Sequence, residues 1–245
     1  MSDSFYTSGE YFSRNPGLDM DVCLFKANNI LKLLLNVPGD SIPFGSISKI
    51  AEIGCGSGLI IDSLSKSKKF PLEIEFYGYD ICKQSIEVAK KLNSLVHFEH
   101  LDIFETNLRF DIIVCADVFE HISNVYSFLL NLSHYGLFFC FNIPLEISLL
   151  SLLRGSAPFK HSHQSVGHLH FYGGKLPLHI LESCGYRILN YSFACNRFFT
   201  LKKTDSITRK IVSYMQYLVW KVSPLLSASL FGDSLIVIAT VGHEE

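Results

Sequence analysis

Charge is scarce in this chain of 245 residues: only 18% are Asp, Glu, Lys or Arg, and the formal net charge is -2 at pH 7. Without a basic excess the sequence has no general electrostatic footprint for nucleic acid, and no nucleic-acid partner is expected. The seven cysteines include no C-x-x-C pair. An odd number of thiols in mostly apolar stretches, with Cys115 and Cys140 in predicted core strands, argues against a zinc site or a disulfide framework. Reduced thiols in a cytoplasmic protein fit better. Met1 to Glu10 holds no apolar signal core. No stretch offers the roughly 20 predominantly apolar residues of a spanning helix. Leu137 to Leu153 is interrupted by Asn142, Pro144 and Glu146 and so reads as strand, turn and helix, and Val212 to Phe231 is interrupted by Gln216, Lys221 and Pro224. The second stretch leaves peripheral attachment to a membrane surface open. Internal repeats and low-complexity tracts are missing, as is the phosphate loop G-x-x-x-x-G-K-[ST]. The dinucleotide fingerprint G-x-G-x-x-G also fails: counted from Gly54 its last place holds Leu59, and counted from Gly56 it holds Ile61.

What is present is a substantial apolar fraction, 48%, enough for the core of one domain with insertions. The most informative segment is Ala51-Glu52-Ile53-Gly54-Cys55-Gly56-Ser57-Gly58. It follows the apolar run Ile47 to Ile53 and precedes Leu59 to Leu64, so it reads as strand, glycine turn, helix. Alternate glycines let the backbone turn sharply and lie close to a ligand. The alternation continues, with strands expected near 48–53, 73–79, 96–101, 110–116 and 137–143, and helices near 58–66, 82–92 and 123–134. Such alternation predicts a parallel sheet with helices on both faces, and a ligand site beyond the carboxyl ends of its strands. Glu52 to Gly58, Asp80, Asp102 and Asp117 all fall at such ends.

Upstream, Asp19 to Leu35 reads as a helix closed by Pro38-Gly39. Tyr6, Tyr11 and Phe12, before it, are candidates either for a flap over the pocket or for packing at the domain edge. Leu145 to Tyr172 reads as irregular. A helix is expected at about 174–184 with Gly185 as its left-handed cap, then a strand over Tyr186 to Ala194, a helical rhythm over Ser206 to Trp220, and a last strand over Ser234 to Val241.

The pattern E-x-G-x-G-x-G over Glu52 to Gly58 resembles motif I of the Rossmann-like, class I S-adenosylmethionine-dependent methyltransferases. Three further segments follow in that family's order: Glu73 to Asp80, Val96 to Asp102, and Phe110 to His121 with its D-V-x-E-H signature. The resemblance covers residues 47 to 144, and continues more loosely through Gly167-His168-Leu169-His170-Phe171-Tyr172. It implies an α/β, Rossmann-like seven-stranded, mostly parallel sheet with an antiparallel last strand inserted between strands five and six. It also implies a single domain over 1–245: an N-terminal helical cap at 1–46, a cofactor-binding core at 47–144, and substrate-side insertions at 145–172 and 195–233.

The resemblance implies S-adenosyl-L-methionine as cofactor and S-adenosyl-L-homocysteine as product. It brings the backbone of Gly54, Cys55 and Gly56 near the methionine moiety, with Gly58 completing the turn and Glu52 near the cofactor through water. Asp80 would bind the ribose hydroxyls and Ile81 the adenine. Asp102 would accept from the adenine amino group beside Ile103, and Ala116 and Asp117 would line the sulfonium side. The expected reaction is methyl transfer to a small-molecule, sugar or lipid-linked acceptor, at oxygen. Non-catalytic cofactor binding and nucleotide-dependent oxidoreduction are the alternatives.

Asp117, Glu120 and His121, spaced i, i+3, i+4, would share one face if a helix starts there. They resemble the E-x-x-E-H metal site of ubiquinone-pathway and small-RNA methyltransferases, where Mg2+ could activate a hydroxyl. Because D-V-x-E-H also occurs in relatives without metal, no metal ligand is assigned. Candidate catalytic bases are His121, His168 and His170; alternation on an extended segment would point the last two to one side. Lys26, on the leading helix, is read first as a solvated side chain, with a salt bridge or an anionic substrate as the alternative.

Overall fold

The computed structural model describes residues 8–10, 13, 19–38, 42–70, 73–92 and 95–242. Tyr6, Tyr11, Phe12 and Gly39 lie outside the described residues. Strands β1 (Lys49–Ile53), β2 (Glu75–Asp80), β3 (Val96–His100), β4 (Phe110–Ala116), β5 (Gly136–Leu145), β6 (Tyr186–Phe193) and β7 (Asp233–Val241) form one sheet. Its order is β3-β2-β1-β4-β5-β7-β6. The first five strands pair in parallel, and β7 runs antiparallel between β5 and β6. Parallel neighbours need crossovers, which helices supply: α1 (Met20–Leu34) precedes β1, and α2 (Leu59–Ser65), α3 (Lys83–Leu92) and α4 (Val125–Leu132) connect the strands up to β5. Between β5 and β7 come α5 (Leu149–Leu153), α6 (Ala157–Val166), α7 (Leu176–Ser183), α8 (Asn196–Phe199), α9 (Ile207–Val222) and α10 (Pro224–Phe231).

The strands are apolar on both faces, as a sheet covered on both sides requires. Ile112 and Val114 of β4 and Ile236 and Ile238 of β7 face one side, with Ile30 and Leu34 of α1, Ile61 of α2 and Ile86 of α3. Ile113 and Cys115 face the other, with Phe139 and Phe141 of β5, Leu129 of α4 and Leu181 of α7. Burying each such side chain is worth about 1.5–3 kcal/mol, and a one-residue slip of a strand would exchange the sets that fit these two layers. Strand order reverses between β1 and β4, the place where this topology leaves a crevice.

Two expectations are corrected. Residues 145–172 are not irregular: they contain α5 and α6. Helix α5 starts at a capping box, with Ser148 accepting from Ser151 and Ser151 returning the bond. Helix α6 has a proline in its first turn, ends at Gly167 with φ +82°, and contains no buried residue. A helix that buries nothing shows no apolar period in its sequence. Residues 117–123 do not begin a helix either. Asn124 caps α4 by accepting from the Ser127 N–H at 3.1 Å, so Asp117, Glu120 and His121 lie on turns and share no helical face.

Candidate active site

From β1 the chain turns through three glycines with φ of +62° at Gly54, +54° at Gly56 and +74° at Gly58. Two of them serve opposite purposes. A Cβ on Gly56 would meet nothing within 4 Å, so its outer side is open to a ligand. A Cβ on Gly58 would stand 2.4 Å from the Phe98 ring and 3.3 Å from Ala89, so this glycine lets α2 seat against β3 and α3. Gly58 is also the N-cap of α2 and has no side chain with which to cap it. Glu52 takes over that role: buried beneath the turn, its Oε2 accepts from the Ile61 N–H at 3.0 Å. Burial pushes the Glu52 carboxyl up to about 8, against the opposing pull of that backbone bond.

A cleft of about 710 Å3 opens at the carboxyl ends of β1, β2 and β4. Gly54, Asp80 and Ile81 line it on one side, Asp102 and Ile103 on another, and Asp117 and His121 on a third. Asp80 holds the turn, with Oδ2 accepting from the Gly56 N–H at 2.8 Å and Oδ1 from the Cys82 N–H at 2.7 Å. Burial raises its carboxyl, and these two bonds partly offset the shift. Asp102 accepts from the Phe104 N–H at 3.0 Å and so caps the short turn Ile103–Glu105. Glu52, Cys55, Gly56, Gly58, Ala116, His168 and His170 are not among the residues lining this cleft. Cys55 is buried and its N–H donates to the Tyr79 carbonyl at 3.0 Å, while Ala116 is buried next to Asp117 in sequence.

Asp117 has φ +54°, the left-handed region that Asp tolerates better than most side chains. Its carboxylate accepts from Asn142 Nδ2 at 2.7 Å and is ion-paired with Lys26. Lys26 is therefore no solvated side chain: α1 delivers it to the rim of the cleft. Burial alone would lower its ammonium pKa, but the charge and hydrogen bond of Asp117 reverse the shift upward.

A second cluster lies beside it. Glu120 is fully buried, and neither of its carboxylate oxygens has a hydrogen-bond partner. Burial, then the nearby Asp117 charge, pushes its carboxyl well above the usual range. Its Oε1 stands 3.8 Å from His121 Nε2 and 3.9 Å from His168 Nε2. Burial, helped by His168, lowers His121 to about 4. Glu146 Oε2 holds the Nδ1 of His168 at 2.6 Å. The backbone N–H groups of Leu169 and His170 both donate to the Glu120 carbonyl, at 2.9 and 3.1 Å, and dock this segment on the cluster. The His170 ring is used elsewhere: its Nε2 meets the Ile122 carbonyl at 3.0 Å and the ring stacks on Tyr172. One donor atom each from Glu120, His121 and His168 lies within 4.8 Å of the others, so this trio could hold a cation. Asp117, committed to Lys26 and Asn142, is not part of it.

Sequence reasoning missed Asn142 and Glu146 as site residues. The available signal was position: a lone amide directly after the apolar run Gly136 to Phe141, and an acid just past the carboxyl end of the same strand.

Residues 51–135 match the family model described as a methyltransferase domain. Over these residues, about a third of its length, the chain is similar to a methyltransferase domain. The chain is 31% identical over 93 residues to "Ubiquinone biosynthesis O-methyltransferase, mitochondrial" of Schizosaccharomyces pombe, covering 34% of this chain and 32% of that protein. It is 33% identical over 97 residues to "Ubiquinone biosynthesis O-methyltransferase" of Rickettsia typhi, covering 36% of this chain and 37% of that protein. The chain thus spans about a third of the length of these curated relatives. In fold it is similar to the putative methyltransferase in complex with the Haloferax volcanii Trm112 activator, with a TM-score of 0.63, 11% identity, and coverage of 97% of this chain and 98% of that one. It is similar too to the magnesium protoporphyrin IX methyltransferase of Synechocystis PCC 6803, with a TM-score of 0.57, 14% identity, and coverage of 98% and 97%. At such identities the likeness is one of fold.

Proposed function

We propose that the protein transfers the methyl group of S-adenosylmethionine to a hydroxyl oxygen of a small-molecule acceptor and releases S-adenosylhomocysteine. The observation that carries this reading is the meeting of Gly54, Asp80, Asp102 and Asp117 on one cleft at the strand-order switch point. Asp80 and Asp102 would take the ribose hydroxyls and the adenine amino group, with Ile81 and Ile103 against the base. The open side of Gly56 admits the methionine part. The curated relatives, whose names describe O-methyltransferases, favour oxygen as the acceptor atom.

The chemistry asks little of the protein beyond placement. A lone pair of the acceptor oxygen attacks the methyl carbon, the C–S bond breaks toward sulfur, and the hydroxyl proton leaves to a base. His121 stands on the cleft wall and is neutral at pH 7 because of its lowered pKa. His168, oriented by Glu146, adjoins it with ring centroids 4.8 Å apart. The test is tritiated-methyl transfer from S-adenosylmethionine to a panel of hydroxylated acceptors. Label on an acceptor supports the reading. Binding of the cofactor with no transfer to any acceptor would favour a non-catalytic module.

A second reading concerns the Glu120, His121 and His168 trio. Buried carboxylate oxygens without hydrogen bonds are costly unless something meets them, and a divalent cation would. Two imidazoles and one carboxylate suit Mn2+, Fe2+ or Zn2+ better than Mg2+, which prefers oxygen ligands. Bound there, a cation would acidify and orient an acceptor hydroxyl. Calorimetry with Mn2+ tests this. Heat of binding that His168→Ala abolishes supports it, and no heat with the folded protein contradicts it.

A further inference from the structure

Helix α9 packs inward through two buried polar residues and the aromatic pair Tyr217 and Trp220, and turns a separate apolar stripe outward. Its buried residues are Ser213 and Gln216. Gln216 Nε2 donates to Asp233 Oδ2 at 3.0 Å and to the Gly232 carbonyl at 3.2 Å, and its Oε1 accepts from Arg197 at 3.2 Å. The indole of Trp220 donates to the Phe193 carbonyl at 2.8 Å. The outward side carries Ile207, Ile211, Met215, Leu218 and Val222, between 53% and 85% exposed, at the spacing of one helical stripe. Helix α10 packs against both α9 and α5. It adds exposed Leu225 and Leu226, and α5 adds exposed Leu149, Leu152 and Leu153. A contiguous apolar stripe of this kind on a water-facing helix implies an apolar medium that covers it.

The charges beside it say which medium. Residues 197–231 hold six basic side chains and one acid, Asp205, in a chain whose net charge is -2. Lys203, Arg209 and Lys221 are exposed on this insertion, and Arg154 and Lys160 are exposed beside α5. A 16-residue helix is about 24 Å long, and among the described residues no helix is long and apolar enough to cross a membrane. An apolar stripe with a basic border and no spanning length is the pattern of a helix lying in the plane of an anionic lipid surface.

We propose that the outward face of α9, with α10 and α5, docks on a membrane containing anionic phospholipid. This docking stands independently of the methyl-transfer reading. Aliphatic side chains enter the acyl boundary, and the Lys and Arg border meets the headgroup phosphates.

The test uses the full chain, sedimented with vesicles of phosphatidylcholine alone and of phosphatidylcholine mixed with phosphatidylglycerol. Binding is expected only to the mixed vesicles, and high salt should release it. The double variant Ile211→Ser, Leu218→Ser should lower the partition coefficient about tenfold or more, and so should Lys203→Glu with Lys221→Glu. All four side chains point outward, so the variants should unfold at the wild-type temperature, which a thermal scan checks. Failure of the folded wild type to bind mixed vesicles overturns the proposal, as does undiminished binding by the serine variant. A wild-type dimer in light scattering that the serine variant dissolves would also overturn it, by showing that a second copy covers the face.

Discussion

Two carboxylates of similar sequence appearance do different work. Asp80 faces the cleft and already bridges Gly56 and Cys82. Asp80→Ala should weaken S-adenosylhomocysteine binding by about 1.5–3 kcal/mol for each charge-assisted bond lost, tenfold or more in calorimetry. Unchanged affinity would remove Asp80 from the site. Glu52 supports the turn from below. Its folded carboxyl titrates at about 8 and its ordinary value is 4.5, so from pH 4.5 to 8 the folded protein holds a proton that the unfolded chain has lost. Its contribution to stability is therefore full below pH 4.5 and falls as pH rises through 8. The unfolding temperature should drop between pH 6.5 and 8, and Glu52→Gln, which keeps the acceptor for Ile61, should make that drop shallower. An equally steep drop in the variant would show that Glu52 is ionised in the fold.

At the scale of elements, the glycine turn separates stability from binding. Gly58→Ala adds a Cβ against Phe98 and Ala89 in a left-handed conformation, and should cost about 2–5 kcal/mol in urea unfolding. Gly56→Ala meets open space and should cost only about 1–2 kcal/mol of backbone strain, yet weaken cofactor binding more than Gly58→Ala does at temperatures where both are folded. Equal unfolding costs would refute this division. The strands around the turn were legible in the sequence because burial on both faces writes near-continuous apolar runs, and the acids at Asp80, Asp102 and Asp117 mark where those runs end. Gly185, with φ +83°, closes the turn after α7 as expected. The strand, turn and helix read over 137–153 match β5 and α5, whereas α6 was not legible, since a short surface helix that buries nothing leaves little period. The helix expected near 123–134 runs from Val125 to Leu132, but the condition placed on Asp117, Glu120 and His121 is not met: a positive φ at Asp117 and the Asn124 cap start the helix after them, and an i, i+3, i+4 spacing alone could not reveal either. Lys26 and Glu146 were unreadable for another reason. Their partners, Asp117 and His168, are distant in sequence, and only the packing of α1 and the path after β5 bring them together.

For the molecule as a whole, the sheet gathers into one cleft groups from β1, β2, β4 and the loop after β3, while α1 and the 145–172 insertion bring Lys26 and His168 to its margin. Methyl transfer from an adenosyl sulfonium requires that this cleft be an adenosyl site. The most direct measurement is a crystal structure of the protein with S-adenosylhomocysteine, with thermal shifts for the same ligand and for NAD alongside. Stabilisation by S-adenosylhomocysteine and not by NAD is expected, with the ribose against Asp80, the adenine near Asp102 and the sulfur toward Asp117 and His121. Stabilisation by NAD alone, or an adenosyl group lodged away from Asp80 and Asp102, would contradict an adenosyl site here.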